Sequence, residues 1–368
     1  MRVTGLGHAG LFIETRGGSI LCDPWVHPAF FGSWFPFPDN RALDWSRFAD
    51  CDYLYVSHRH QDHFDPRLLS EWVDKDTAVL LPEYPTQELE NDLRSLGFTN
   101  IIYTRAGEPL ERDGLRIMIT PVRGPSDGPI GDSALSLDDG TAVLLNQNDS
   151  HPIDLDKIRA FGQVDAYFTQ FSGAIWWPMV YDLPVKAKRT FAKLKRKGQT
   201  DRALFYIDKM EPRHVFPMAG PPCFLDQELF NLFFYVYDYT EIFTDQNQFL
   251  TELEQAQPET SGHLLLPGTV VDVTAGECSV RQTGFTEAEI ERIFVNKWDY
   301  LAELREERQD EIAAEKQARA QVPDDMFEQL KAWWEPLMRR AEFLSAGIDA
   351  CVRFEAGDLN LCLDFPNS

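Results

Sequence analysis

The chain has 368 residues, 43% of them hydrophobic and 12% aromatic, with 59 acidic against 35 basic side chains and a net charge of −24. That length exceeds the roughly 100–200 residues of a typical domain, and the apolar fraction can fill a sizeable core, so a soluble core domain plus an appendage is expected. The acidic balance argues against a nucleic-acid partner, whose phosphates demand clustered Lys and Arg, and no apolar run approaches the roughly 18 residues of a membrane span. The first residues read directly as a strand, without the basic-then-apolar pattern of a signal peptide. Six cysteines, at 22, 51, 223, 278, 351 and 362, are scattered, and none lies two or three residues from another. They read as buried or idle thiols in a reducing cytoplasm.

In chain order, Arg2–Gly5 and Leu11–Glu14 alternate like strands, Gly17-Gly18 makes a turn, and Ile20-Leu21-Cys22-Asp23-Pro24 follows as a third strand. An aromatic insert, Phe30-Phe31-Gly32-Ser33-Trp34-Phe35-Pro36-Phe37-Pro38, reads as a loop because of its Gly and Pro. Together with Trp176-Trp177 it is either a lid over a site or ordinary core. The strand Asp52–Val56 then delivers Ser57-His58-Arg59-His60-Gln61-Asp62-His63, four ligand-type side chains within six positions. His58 and His60 can share one metal, while Asp62 and His63 reach a second. Imidazole and carboxylate suit zinc, iron or manganese alike.

Short helices are expected at Pro66–Asp74, Thr86–Leu96 and Asp154–Phe161. A hairpin, Ser133–Leu137 and Thr141–Leu145 about Asp139-Gly140, runs into Asn146-Gln147-Asn148-Asp149. Lys186, Lys188, Arg189, Lys193, Lys195, Arg196 and Lys197 crowd one predicted helix with Phe191 and Leu194 as its buried face. This is either a solvated face or a surface for a diphosphate or an acidic redox partner. Past residue 270 a capping box at Thr286 and Glu289 opens a long charged helix to about Arg319. After Pro323 a second helix carries Met326, Phe327, Leu330, Trp333, Trp334 and Leu337, with a kink expected at Pro336. Cys351–Phe354 and Leu359–Leu363 alternate like two strands about Gly357. This apolar hairpin wants further partners, so a further domain is expected after it.

The run His58-Arg59-His60-Gln61-Asp62-His63 resembles the HxHxDH signature of the metallo-β-lactamase superfamily, and the opening hairpins resemble that family's. The resemblance implies an α/β fold, a metallo-β-lactamase-like αββα sandwich over residues 1–270, followed by a helical extension ending in a β-hairpin over 271–368. It implies His58, His60, Asp62 and His63 as ligands, Asp149 as the metal-bridging aspartate, and Asp23 as a group orienting a ligand histidine, the alternative for Asp23 being a turn residue before Pro24. Two family histidines are missing. None occurs in Arg123–Gly128, where Asp127 or His151 is the substitute to consider, and Ala219 stands in Pro217-Met218-Ala219-Gly220 where a last histidine is usual. His214 reads as structural.

Within the superfamily the chain is similar to the N-acetyl sugar-nucleotide hydroxylases, through Asp23-Pro24-Trp25, Pro28-Ala29-Phe30, Ser57–His63, Asn146–Asp149, Phe171-Ser172-Gly173-Ala174 and Pro217–Gly220. Its aromatic insert looks closest to the enzymes acting on UDP-N-acetylmuramic acid. That resemblance implies a monooxygenase converting N-acetyl to N-glycolyl with O2 at two metal ions, iron favoured over zinc. Electrons would come from a Rieske [2Fe-2S] domain or a donor protein, since the chain has neither the CxH nor the CxxH pair of such a cluster. The competing readings are a dizinc hydrolase of an ester, lactone or phosphodiester, and a non-catalytic scaffold that binds a partner through its C-terminal helices.

Overall fold

Alternation of apolar side chains on short strands sets the architecture. The computed structural model describes residues 1–122, 131–173, 175–233, 241–319, 323–340, 351–356 and 359–364. β1 (Arg2–Gly7), β2 (Gly10–Thr15) and β3 (Gly18–Cys22) pair antiparallel. β4 (Tyr53–Tyr55), β5 (Ala78–Leu81) and β6 (Ile101–Tyr103) then add in parallel, with α1 (Trp45–Ala49), α2 (Pro66–Glu71) and α3 (Glu88–Ser95) on the connections. β7 (Leu110–Arg112), β8 (Leu115–Val122), β9 (Asp132–Asp138) and β10 (Val143–Asn148) form an antiparallel meander. It is extended in parallel by β11 (Ala166–Gln170), β12 (His214–Met218) and β13 (Ser261–Gly262), with α4 (Leu155–Phe161), α5 (Val185–Met210) and α6 (Gln246–Ala256) between them. The hairpin of β14 (Thr269–Thr274) and β15 (Glu277–Gln282) returns to the first sheet beside β1.

Two sheets result, ordered β15-β14-β1-β2-β3-β4-β5-β6 and β13-β12-β11-β10-β9-β8-β7. Because side chains alternate across a strand, each strand feeds two layers. Leu11, Ile13, Ile20, Tyr55 and Leu80 meet Ile117, Leu135, Leu144, Phe168 and Phe216 between the sheets. Phe12, Leu21, Leu54 and Val79 face outward onto Trp45, Phe48, Leu68 and Leu93 of α1–α3. Met118, Leu145, Tyr167 and Val215 face outward onto Ile158, Ile207 and Phe249 of α4–α6. This is the expected αββα sandwich.

The segment 286–319 is not one helix but three, α7 (Glu287–Phe294), α8 (Lys297–Glu307) and α9 (Gln309–Arg319). The Thr286–Glu289 capping box is present. The first break falls at Asn296, a residue whose side chain competes with helical bonding, and the second at Arg308, which turns inward. Arg308 is buried, stacks over Phe35 at 4.6 Å, lies 2.7 Å from Glu311 and 3.7 Å from Asp39. Tyr300 accepts a hydrogen bond from the Asp39 amide at 2.9 Å. These contacts pack Ile293, Leu301 and Leu304 against Trp34, Phe35, Phe37 and Phe224 in one aromatic-rich cluster.

Two further expectations need correcting. On α5 the buried stripe is Ala192, Gln199, Ala203, Tyr206, Ile207 and Met210, whereas Phe191 and Leu194 are 38% and 61% exposed. The stripe follows the helical period from the end that meets the sheet, so Leu194 points to solvent and Phe191 lies at the surface against Trp177. Cys351 and Cys362 are also not idle thiols but a disulfide, joining β16 (Cys351–Ala356) to β17 (Leu359–Asp364). The antiparallel register sets Arg353 opposite Cys362, which leaves the two cysteines diagonal on one face with Cα atoms 6.4 Å apart. Gly357 lies outside the described residues. The chain divides into two units, Met1–Ile312 and Ala313–Ser368, and α10 (Met326–Arg340), with Pro336 inside it, belongs to the second.

Candidate metal centre

Five connections meet at one end of the sandwich, after β1, β3, β4, β10 and β12. Four of them turn on a non-glycine residue in the left-handed region, His8 (φ 49°), Asp23 (φ 41°), Asn148 (φ 44°) and Ala219 (φ 52°). Such backbone costs about 1–3 kcal/mol per residue and clusters where function requires it. At β10 the register with β11 shifts between Asn146 and Asn148. There Asn148 donates through Nδ2 to the Ser133 carbonyl at 3.0 Å and accepts from the Asp149 amide at 2.8 Å. The bulge re-aims the next side chain, and Asp149 points toward the histidines.

The structure brings the sequence-derived residues into two trios. His58, His60 and Asp149 each offer a donor atom within 4.8 Å of the others, and so do His8, Asp62 and His63. In the first trio His58 Nε2 and His60 Nδ1 are 2.7 Å apart and Asp149 lies 3.9 Å from His58 Nε2. In the second, His8 Nε2 is 3.0 Å from Asp62. Asp149 also stands 3.3 Å from His63 Nε2, between the trios. His8 was not singled out from the sequence, although the run Gly7-His8-Ala9-Gly10 isolates one polar ring in the turn of an apolar hairpin. His8 lies beside Ala219, where the family's last histidine is usual, and the Ala219 amide donates to the His8 carbonyl at 2.9 Å. Asp127 lies outside the described residues. His151 lines the neighbouring cavity but joins neither trio.

Each deeply buried histidine has a carboxylate behind it. Asp23 Oδ2 is 3.0 Å from His63 Nδ1, and Asp23 also accepts from the Ser57 amide and hydroxyl, both at 2.7 Å. Asp132, also missed as a participant in the sequence, stands 2.8 Å from His58 Nδ1. Such partners fix the tautomer and ring orientation of a ligand histidine.

The charges are mutually stabilised. Burial pushes Asp62 up, but His63 and then His8 outweigh it and bring the carboxyl down to about 2. Burial likewise opposes ionisation of Asp149, yet His63 and His58 hold it well below the usual range. His63, disfavoured as a cation by burial, is raised well above an ordinary histidine by Asp149 and Asp62. His58 is raised by Asp132 against burial, whereas His60 is lowered by burial and by His58. Asp62 Oδ1, Asp149 Oδ1 and His63 Nε2 are buried with no hydrogen-bond partner among the described residues. Orphaned buried acceptors beside imidazoles are the donor set of a cation, so the residues fit a pair of divalent metal ions.

A cavity of about 380 Å³ opens onto the trios. His60, Asp62, Asp132 and Asp149 form one part of its lining, Phe30, Trp34 and Trp176 another, and Lys195, Gln199 and Arg202 of α5 a third. The aromatic insert is therefore divided. Trp34 stands 5.9 Å from Trp176, and Phe30 6.1 Å from His60, over the centre. Phe35 and Phe37 are core, and Trp177 packs on Tyr181 and Phe191 instead.

Residues 2–219 match the family model described as a Beta-lactamase superfamily domain, and residues 326–368 match the one described as an Rv3818-like, SCP2-like domain. The putative Rieske 2Fe-2S iron-sulfur protein Rv3818 of Mycobacterium tuberculosis (strain H37Rv) is 43% identical over 373 residues, which cover 100% of this chain and 72% of the relative. Cytidine monophosphate-N-acetylneuraminic acid hydroxylase of Mus musculus is 25% identical over 232 residues, 60% of this chain and 39% of the relative. Among solved structures, the isothiocyanate hydrolase from Delia radicum gut bacteria has a TM-score of 0.53 at 13% identity, covering 75% of this chain and 100% of that one, a likeness of fold alone. The chain therefore belongs to the metallo-β-lactamase superfamily and, within it, to the family of the putative Rieske 2Fe-2S protein Rv3818.

Proposed function

We propose that the chain is the dinuclear oxygenase module of a monooxygenase that hydroxylates the N-acetyl group of a cytoplasmic sugar nucleotide to N-glycolyl. UDP-N-acetylmuramic acid is the preferred substrate, and a Rieske [2Fe-2S] cluster, in an accompanying domain or a partner, supplies the electrons. The carrying observation is that each trio consists of two imidazoles and one carboxylate, the set that leaves open positions and suits non-haem iron. The Rieske name of the 43% identical relative and the likeness to a sugar-nucleotide hydroxylase support the same reading.

Bound iron would supply the one-electron chemistry that reduces dioxygen. The chain's own residues do the rest. Asp23 holds the Nδ1 side of His63, and the Ser57 hydroxyl at 3.0 Å with the Asp132 carboxylate beside it faces Nδ1 of His58, so that Nε2 of each faces the centre. Phe30, Trp34 and Trp176 give an apolar bed for an acetyl methyl and keep water from the reacting carbon. Lys195 and Arg202 place positive charge in the same cavity, where a diphosphate fits despite the net charge of −24. The reaction balances as one methyl C–H bond replaced by C–OH, with the second oxygen atom leaving as water at the expense of two electrons and two protons.

The test is turnover of UDP-N-acetylmuramic acid by iron-loaded protein with a reductant under isotopically heavy dioxygen. A product carrying one heavy oxygen on the acetyl carbon is expected. The second reading, a dizinc hydrolase of an ester, lactone or phosphodiester, rests on the same donors, which fit zinc equally well. It predicts oxygen incorporation from water and no need for electrons.

A further inference from the structure

A second cluster of metal-ligating side chains lies at the opposite end of the sandwich. His214 opens β12, and the four-residue step to Met218 places it roughly 13 Å, at strand rise, from the end that meets His8. His263 follows β13, and its amide donates to the Val215 carbonyl at 2.9 Å. Cys278 lies on β15, opposite Val273 of β14. One donor atom from each of the three lies within 4.8 Å of the other two, and His214 Nδ1 is 3.0 Å from His263 Nε2.

We propose that His214, His263 and Cys278 bind one zinc-class transition-metal ion, which staples the β12–β13 edge of one sheet to β15 of the other. Tetrahedral zinc, with bonds of about 2.0–2.1 Å to nitrogen and 2.3 Å to sulfur, needs donors roughly 3.3–3.6 Å apart. The imidazoles therefore open by a few tenths of an ångström while the thiolate closes in. The set is partly preorganised, because His263 stacks on Phe216 with ring centroids 5.1 Å apart. All three residues are half-buried, so an ion can enter from solvent.

Burial disfavours the charged form of both imidazoles. Burial and the neighbouring His214 bring His263 down to about 4, and burial lowers His214 as well. Burial and Asp272 push the Cys278 thiol up to about 11, so ligation displaces its proton to solvent. Two imidazoles with one thiolate select zinc or copper over magnesium or calcium, and a fourth position stays open for water. The dinuclear centre differs in chemistry, because its six donors are nitrogen and oxygen only.

Sulfur ligation makes the site visible. Anaerobic titration of the full chain with Co²⁺ is expected to give a sulfur-to-cobalt charge-transfer band in the near ultraviolet whose final intensity corresponds to one sulfur-ligated ion per chain, whatever the dinuclear centre takes up, and which is bleached by Zn²⁺. Cys278→Ser is expected to lose the band and one zinc per chain by elemental analysis, with unchanged far-ultraviolet circular dichroism. His263→Asn should weaken cobalt binding at this band at least tenfold, while Asp149→Ala, which damages the dinuclear centre, should leave the band in place. Cobalt binding with no sulfur band, or a band that survives Cys278→Ser, overturns the proposal and leaves a histidine pair joined by a hydrogen bond.

Discussion

Asp23→Asn isolates the outer support of the metal centre. Asp23 is fully buried, with one oxygen accepting from the Ser57 amide and the other facing both the Ser57 hydroxyl and His63 Nδ1. Asparagine has the same volume and tolerates φ 41°, and its carbonyl oxygen still serves the Ser57 amide. What changes is the atom facing His63. An amide NH2 can only donate, so Nδ1 must accept and the proton moves to Nε2, the atom 3.3 Å from Asp149 that points into the centre. Loss of such a partner lowers metal affinity by about 10–100-fold, equivalent to roughly 1.4–2.7 kcal/mol. A stability loss of about 1–3 kcal/mol accompanies it, as for a buried hydrogen bond to a charged group. The assay is chelator-competition titration of metal into apo protein, with a thermal melt in parallel. Metal affinity within twofold of wild type would refute the assignment, because His63 would then hold its tautomer without Asp23.

His8→Ala should cost the dinuclear centre one of its two ions and Asp149→Ala should empty it, both by elemental analysis in a Cys278→Ser background that removes the separate sulfur site; two ions retained in His8→Ala would remove His8 from the ligand set. Asp149 and Asp62 raise His63 and Asp132 raises His58, so protons compete for both imidazoles above the ordinary histidine range of 6.5. Metal affinity should therefore fall as pH is lowered from about 8 to 6, by roughly tenfold per pH unit for each proton displaced, and a flat profile in stepped-pH competition would contradict this. Lys195→Ala should raise KM for an anionic nucleotide by about tenfold or more with kcat nearly unchanged, as expected for a lost charged contact made equally in ground and transition states. The effect should shrink at high salt, and an unchanged KM would remove α5 from substrate binding.

The HxHxDH run was legible because no packing requirement explains four ligand-type side chains in six positions. The sandwich was legible through the resemblance carried by that run and the opening hairpins, whereas strands such as Ala78–Leu81 and Ala166–Gln170 are buried on both faces and show no period-two alternation of their own. His8 was hidden by its solitude, since a single histidine in a hairpin turn carries no spacing signal, and only the meeting of the connections after β1 and β4 gives it partners. Asp132 was hidden for the same reason. The inward turn of Asp149 depends on a bulge that pairing of β10 with β11 creates, which is a property of two strands rather than of one segment. The second break in residues 286–319 follows from where Arg308 finds carboxylates, a tertiary fact that overrides a continuous helical pattern. On α5 the basic half reads as amphipathic by itself, but contact with the sheet picks a different stripe and leaves Phe191 and Leu194 outside.

The buried Arg308 and the Tyr300 hydroxyl reach back more than 260 positions to the Asp39 turn, and this limits how portable the metal centre is. Residues 1–270 contain every donor named for it, yet a fragment ending there would leave Trp34, Phe35 and Phe37 without the helices that back them. The floor of the cavity would keep its ligands and lose the stiffness of its aromatic wall. Grafting the centre onto another scaffold therefore has to carry the segment through Ile312 as part of the same piece.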